Sequence, residues 1–186
     1  MSLNKDLTIV FVSFYSENLI EKPINQIDKN IQIIVVENSQ DEDLKSYLEK
    51  KYSNVKVVVP KKNTGNGGGA NLGLLNAKTK FVLYLDIDIE LSTQTIKTLY
   101  EYANKLDDFS ILAPKIDGVQ YKEKFYLKKN ILENVDSMNF ITGCALFFNM
   151  QALEEIGYYD ENIFLYYEEN DLYLRSLKKN YKIYLI

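Results

Sequence analysis

The chain has 186 residues, 46% hydrophobic, 26% charged and 13% aromatic, with a mean hydropathy of -0.23; this is globular composition at about one-domain length and excludes disordered and fibrous classes. It has no histidine and one cysteine, Cys144, which excludes imidazole-based triads, His-ligated zinc, multi-thiolate metal sites and internal disulfides, so the fold needs no oxidising compartment. The net charge is -4, the pI is near 5.0 and Arg175 is the only arginine, an acidic balance without the basic face that nucleic-acid binding requires. The longest apolar runs, residues 7–12 and 31–36, are far below the roughly 20 residues that span a bilayer. The N-terminus shows no secretory pattern. A cytoplasmic setting is expected, at most with peripheral association at the inner face of a membrane.

In chain order, residues 7–13 (LTIVFVS) are a continuous apolar run rich in β-branched side chains, which predicts a buried parallel strand. Residues 31–37, 55–60 and 81–86 predict three more. Between them, residues 41–52 start with acids, end with lysines and place Leu44 and Leu48 four apart, which predicts a helix. Residues 92–106 repeat apolar side chains at Ile96, Leu99, Ala103 and Leu106, one face of another. Residues 119–132 mix Tyr, Phe and Lys without a period, so a crossover or a hairpin is expected. A strand over 140–148 follows, then a short helix over 150–156 stopped by Gly157, a helix over about 168–179 and a strand over 181–186. Strands alternating with helices imply right-handed βαβ units and an α/β sheet covered on both faces. No repeat or linker divides the chain, so one domain over residues 1–186 is expected.

In an open parallel sheet, ligands bind beyond the carboxyl ends of the strands, and here those ends are polar. They are Ser13-Phe-Tyr-Ser16, Glu37-Asn-Ser39, the stretch Asn63-Thr-Gly-Asn-Gly-Gly-Gly-Ala-Asn-Leu-Gly73 after the third strand, and Asp86-Ile-Asp88. Each alone has a structural explanation, since Asn-Ser caps helices, glycines turn corners and acids solvate strand ends. Four on one sheet edge favour a site. If Asp86-Ile87-Asp88 continues its strand, alternation points both carboxylates one way and Ile87 back into the protein. Two such carboxylates suit a hard divalent ion whose shell is completed by substrate phosphates and water.

The glycine-rich stretch reads in two ways. It satisfies G-x-G-x-x-A with Asp86 about 20 residues beyond, which is a dinucleotide fingerprint; but it follows the third strand after an interval rather than the first directly. Alternatively, the glycines form a loop that lets backbone approach a nucleotide while Asn66 and Asn71 supply hydrogen bonds. Near the C-terminus, Tyr166-Tyr-Glu-Glu-Asn-Asp-Leu172 places three acids at a helix start. Acids are favoured there by the helix dipole; the functional reading is a general base. Asp171 lies four residues before Arg175, the spacing of a helical ion pair. Cys144 sits in an apolar run and is expected to be packed.

The order of these motifs resembles glycosyltransferase family 2, especially its rhamnosyltransferase-like members. Val36-Glu-Asn-Ser39 is similar to V-D-N-x-S, residues 63–73 to N-x-G-x-x-x-G-x-N-x-G, and Leu85-Asp-Ile-Asp88 to the D-x-D metal motif. Thr142-Gly-Cys-Ala-Leu146, Gly157-Tyr-Tyr-Asp-Glu161 and residues 164–175 resemble the later G-x-x-x-L, G-x-F-D-E and F-x-Y-x-E-D-x-D-L-x-x-R series. The resemblance implies the GT-A fold, a mostly parallel Rossmann-like sheet flanked by helices. It also implies metal-dependent, inverting transfer of a sugar from a nucleoside diphosphate, UDP- or dTDP-linked and including rhamnose, to a hydroxyl of a saccharide or lipid-linked acceptor in cell-surface polysaccharide synthesis. By the same resemblance Ser13, Tyr15 and Glu37 face base and ribose, and Asn38, Asn63, Gly65, Gly68, Asn71 and Ile87 complete the donor-binding set. Asp86 lies near the ribose or metal, Asp88 coordinates Mn²⁺ or Mg²⁺, and Glu169 takes the base position, with Glu168 and Asp171 as alternatives.

Three departures are visible: Glu37 and Glu169 each stand where the family uses Asp, and the downstream histidine is absent. Residues 1–114 are expected to form the nucleotide-sugar half and 115–186 the acceptor and base half, the whole being the N-terminal catalytic part of a longer protein. Nucleotide-sugar binding without turnover is the main alternative, and an NAD(P)-dependent oxidoreductase a remote one.

Overall fold

The computed structural model describes residues 2–186. The first apolar run becomes β1 (Leu7–Ser13), with Leu7, Ile9, Val10 and Phe11 fully buried. Such a strand needs protein on both sides, and it lies inside a sheet whose other strands are β2 (Gln32–Glu37), β3 (Val55–Val58), β4 (Phe81–Leu85), β5 (Phe109–Ala113), β6 (Tyr126–Leu132), β7 (Val135–Met138), β8 (Ala145–Asn149) and β9 (Lys182–Leu185). The spatial order is β3-β2-β1-β4-β8-β5-β9-β7-β6. The first four strands pair in parallel, as do β5 and β9. Strand β8 runs antiparallel between β4 and β5, and β7 antiparallel to β6 and β9.

Alternating side chains feed two cores. On one face Ile9, Phe11, Leu83, Leu85 and Phe147 pack with helices α2 (Glu21–Gln26), α3 (Glu42–Lys51) and α5 (Thr93–Ala103). On the other, Val10, Val82, Tyr84, Leu146 and Phe148 pack with α4 (Gly65–Asn76), α6 (Met150–Ile156) and α7 (Glu168–Lys178). A further short helix, Leu3–Asp6, precedes β1. Helix α3 starts where Asp41 accepts a hydrogen bond from Leu44 N–H (2.8 Å), and α5 where Ser92 Oγ accepts one from Thr95 N–H (3.0 Å); both satisfy otherwise orphaned helix N–H groups.

Two local expectations change and one open alternative is settled. The glycine-rich stretch is a helix instead of a loop. A Cβ on Gly69 would stand 2.9 Å from Val12 Cγ1, and one on Gly73 2.3 Å from Val10 Cγ1, so these glycines let α4 lie closer to β1 than any larger residue allows. Residues 119–132 resolve as the hairpin, β6 turning into β7 through Asn134 at φ 60°. Residues 140–144 stay outside the strand that begins at Ala145 and form a turn beside the site described below.

Candidate active site

Strand β4 lies on the side of β1 opposite to β2 and β3, so the β1–β4 boundary is the point where strand order reverses and a crevice opens beyond the strand ends. Two hollows meet there. One, of about 210 Å³, is lined by Val12 of β1 and Phe14 just after it, Asn38 after β2, Asn63, Gly65 and Asn66 at the start of α4, and Phe164 and Leu165. The other, of about 310 Å³, shares Asn66 and Leu165 and adds Asp86, Gly143, Cys144, Tyr166, Glu168 and Glu169.

At the first hollow, the ends of β1 and β2 are tied together. Ser39 donates from both N–H (2.9 Å) and Oγ to Glu37 Oε1, and Ser39 Oγ accepts from Tyr15 N–H (3.3 Å). Tyr15 is left-handed at φ 50°, with its exposed ring edge-on to Phe14. Glu37 and Ser13 are wholly buried, yet Glu37 Oε2 and Ser13 Oγ find no hydrogen-bond partner among the described residues. Buried polar atoms normally have partners, and these two lie at the strand ends beneath the lining of this hollow.

The second hollow is built on acids. Asp86 follows β4, and its N–H donates to Cys144 O (2.9 Å). Burial, then the charges of Asp88, Glu168 and Glu169, push its carboxyl up to about 6 against an opposing hydrogen bond from Tyr84. The Tyr84 hydroxyl lies 2.7 Å from Asp86 Oδ1 and 2.9 Å from Asn66 Oδ1; its single proton serves one of them at a time. Asn66 Nδ2 donates to Glu168 Oε1 (2.7 Å). Glu168 is buried, and its Oε2 has no partner among the described residues. Glu169 is partly exposed and lies against Gly143, where a Cβ would stand 3.3 Å from its Cγ. Burial, with the Glu168 charge adding to it, raises the Glu169 carboxyl above its ordinary value.

Asp86-Ile87-Asp88 is a turn, closed by Ile89 N–H donating to Asp86 O (3.1 Å), so the shared-face geometry expected of an extended strand does not apply. Asp86 lines the acid cavity. Asp88 lines a neighbouring hollow of about 160 Å³ with Leu19, Lys22 and Glu90, while Ile87 packs toward the core as expected. None of the ion pairs among the described residues involves Asp86, Asp88, Glu168 or Glu169. This uncompensated carboxylate charge fits a hard divalent cation. Among the described residues no group of three or more metal-ligating side chains is assembled, and Asp86 and Asp88 line different hollows, so the protein would offer single carboxylates here, with a substrate's oxygens and water supplying the rest.

Several other sequence-selected residues serve the scaffold. Asn38 donates to Gly65 O (2.9 Å) and accepts from Thr64 N–H (3.1 Å), fastening α4 to β2. Asn63 Oδ1 accepts from Gly65 N–H (2.9 Å). Gly65 is left-handed at φ +74° and leaves no room for a Cβ, which would stand 2.1 Å from Phe164 O. Gly68 packs on Thr64, and Asn71 holds the backbone of Tyr159 by both ends of its amide (2.9 and 3.0 Å). Asp171 accepts from Arg175 Nε (2.8 Å), and the same guanidinium donates to the carbonyls of Ile156, Gly157 and Tyr158. The glycines of the dinucleotide-like pattern are used inside α4 for packing against β1, which is not a phosphate-binding turn directly after a strand.

Tyr84, Tyr159 and Tyr166 were not selected as site residues in the sequence. For Tyr84 a signal existed: it lies two residues before Asp86 in an otherwise apolar run, on the same face by strand alternation. Cys144 is half-buried at the cavity wall, where burial pushes its thiol up. Among the described residues no helix is long and apolar enough to cross a membrane.

Comparison with known proteins agrees with this architecture. Over 200 residues the chain is 26% identical to the low-salt glycan biosynthesis hexosyltransferase Agl10 of Haloferax volcanii, a match covering 96% of this chain and 64% of that protein. It is 33% identical over 107 residues to the GalNAc(5)-diNAcBac-PP-undecaprenol beta-1,3-glucosyltransferase of Campylobacter jejuni, covering 53% of this chain and 35% of that one. The chain thus spans less than two thirds of the length of either relative. The crystal structure of GalNAc-T7 with UDP, GalNAc and Mn²⁺ superposes with a TM-score of 0.81 at 14% identity, over 97% of this chain and 42% of that one. At that identity the likeness establishes the fold, which is GT-A. The Glycosyl transferase family 2 pattern matches residues 10–175, and with most of its length inside that match, this chain belongs to glycosyl transferase family 2.

Proposed function

We propose that the chain is the donor-binding and catalytic part of an inverting glycosyltransferase, moving a sugar from a nucleoside diphosphate to a hydroxyl of a saccharide or lipid-linked acceptor. The observation that carries this reading is the half-buried Glu169 carboxyl facing, across one cavity, the uncompensated Asp86. Relatives named for hexosyl and glucosyl transfer, one onto an undecaprenol-linked saccharide, support it.

The nucleoside enters the hollow at the ends of β1 and β2, above the unpartnered Glu37 Oε2 and Ser13 Oγ, with the Phe14 ring as an apolar wall. The diphosphate then runs toward Asp86 and Asp88. Asp88, with Asp86 beside it, would hold Mn²⁺ or Mg²⁺, which would supply charge stabilisation for the departing diphosphate. Glu169 is the base: Glu168 is engaged by Asn66 and Asp171 by Arg175, which leaves Glu169 to take the proton from the acceptor hydroxyl as it attacks the anomeric carbon. Attack from the side opposite the diphosphate inverts that carbon. A raised pKa suits a base, because proton-transfer driving force grows with basicity. A UDP- or dTDP-sugar, rhamnose included, is the proposed donor, residues 1–114 and 115–186 the donor and acceptor halves of one domain, and the cytoplasmic face of a membrane the proposed setting.

The test is sugar transfer and donor hydrolysis with UDP-, dTDP- and GDP-sugars and Mn²⁺, alongside calorimetry with the nucleoside diphosphates. Mn²⁺-dependent turnover that is lost in Asp88→Ala and Glu169→Gln supports the reading. Absence of both turnover and nucleotide binding overturns it.

A further inference from the structure

The acids of the cavity are joined by two uncharged side chains from elements far apart in sequence. We propose that Asn66 and Tyr84 are positioning residues for the transfer step. Through the chain Asp86–Tyr84–Asn66–Glu168 they set the carboxylate beyond β4 and the acidic first turn of α7 as one unit, and thereby place Glu169. This rests on the glycosyl-transfer reading above.

Helix α7 begins under strain and without local help. Tyr166 and Tyr167 are both left-handed, at φ 65° and 69°, and no side chain caps the helix. Non-glycine residues in that region are strained and persist only where surrounding structure holds them. Asn66 provides that hold twice: its N–H donates to Phe164 O (3.0 Å) and its Nδ2 to Glu168 Oε1 (2.7 Å), so one residue anchors both ends of the strained segment. Gly67 lets the contact close, since a Cβ there would meet Glu168 Cβ at 3.3 Å. Tyr84 completes the link from the sheet. Its ring is buried among apolar side chains, and its hydroxyl sits between two acceptors, Asp86 Oδ1 (2.7 Å) and Asn66 Oδ1 (2.9 Å), donating its one proton to either, so that it holds both elements at contact distance while bonding one at a time. A buried hydroxyl is destabilising unless bonded, so Tyr84 has one favourable place, and that place fixes the spacing between α4 and the Asp86 turn. Tyr84 lines neither hollow, and Asn66, which lines both, is already bonded to Phe164 O and Glu168; both act through the carboxylates they hold.

The variants are Tyr84→Phe, which removes one oxygen and keeps the ring, Asn66→Ala, and the double mutant. Each single change is expected to lower kcat about 10- to 100-fold, the scale of an ångström-sized misplacement of a reacting group. In Tyr84→Phe donor KM and nucleoside-diphosphate affinity stay within about 3-fold, and the double mutant falls no more than about 3-fold below the worse single, since both act on one set of contacts. Hydrogen exchange of residues 164–171 quickens in both singles. Wild-type kcat in Tyr84→Phe, losses that multiply in the double mutant, or losses that merely follow Tm would overturn the proposal. If wild-type protein neither binds nor turns over any donor, the transfer reading fails separately. In that event exchange still decides the anchoring role: faster exchange upholds it and unchanged exchange ends it.

Discussion

Asp86 is held between opposing influences: burial and three neighbouring carboxylates raise its pKa, while the Tyr84 hydroxyl lowers it, the balance standing at about 6 against an ordinary 3.8. A carboxyl whose folded pKa exceeds its unfolded one destabilises the fold when ionised. The penalty is full above about pH 6 and fades as pH falls toward 4. Asp86→Asn should therefore stabilise the cation-free protein at pH 7.5 by up to about 3 kcal/mol, an advantage that shrinks by pH 4.5; urea titrations at both pH values measure it. Asparagine keeps the acceptor that Tyr84 uses, so the comparison isolates the charge. For Glu169 the sign acts on rate. A base works only when ionised, so its raised pKa moves the acidic limb of log kcat/KM above the 4.5 of an ordinary glutamate. Glu169→Gln should lower kcat about 10²- to 10⁴-fold with little change in nucleotide affinity.

At the scale of elements, α4 and α7 carry the site, and they differ in how they show in the sequence. The acids of α7, its apolar face and its Asp171–Arg175 pair are all local features, and the helix lies where they place it. Helix α4 is hidden, because Gly67-Gly-Gly69 has poor helix propensity and reads as loop. What makes it helical is the close approach to Val10 and Val12 of β1, contacts with residues more than fifty positions away that no local pattern encodes. Gly73→Ala tests this: helix propensity alone favours alanine by about 1 kcal/mol. The 2.3 Å encounter with Val10 Cγ1 should reverse that and destabilise by about 1–3 kcal/mol, read as a lower urea midpoint with unchanged slope. The Asp86 turn is a second case. Alternation predicts one shared face for its carboxylates, whereas the backbone turns at the strand's end and divides them between two hollows.

Across the whole molecule, the sheet joins segments from both ends of the chain. Strand β9, last in sequence, lies between β5 and β7, so removing residues 181–186 would open two strand edges in mid-sheet and leave the hairpin β6–β7 without its partner. Loss of cooperative unfolding is expected of that truncation, by circular dichroism and denaturant titration. The sequence by itself determined the strand and helix order in most of the chain, the absence of imidazole and disulfide chemistry, and the carboxylates available for a site, because burial pattern, capping residues and composition are local properties. Only the tertiary structure decided which of those residues converge. It turned Asn38, Asn71 and Arg175 into fasteners for distant backbone, and it brought Tyr84 and Asn66 between Asp86 and Glu168. Hydrogen bonds between such remote elements depend on how sheet and helices pack, and packing distance is not written in any short stretch of chain.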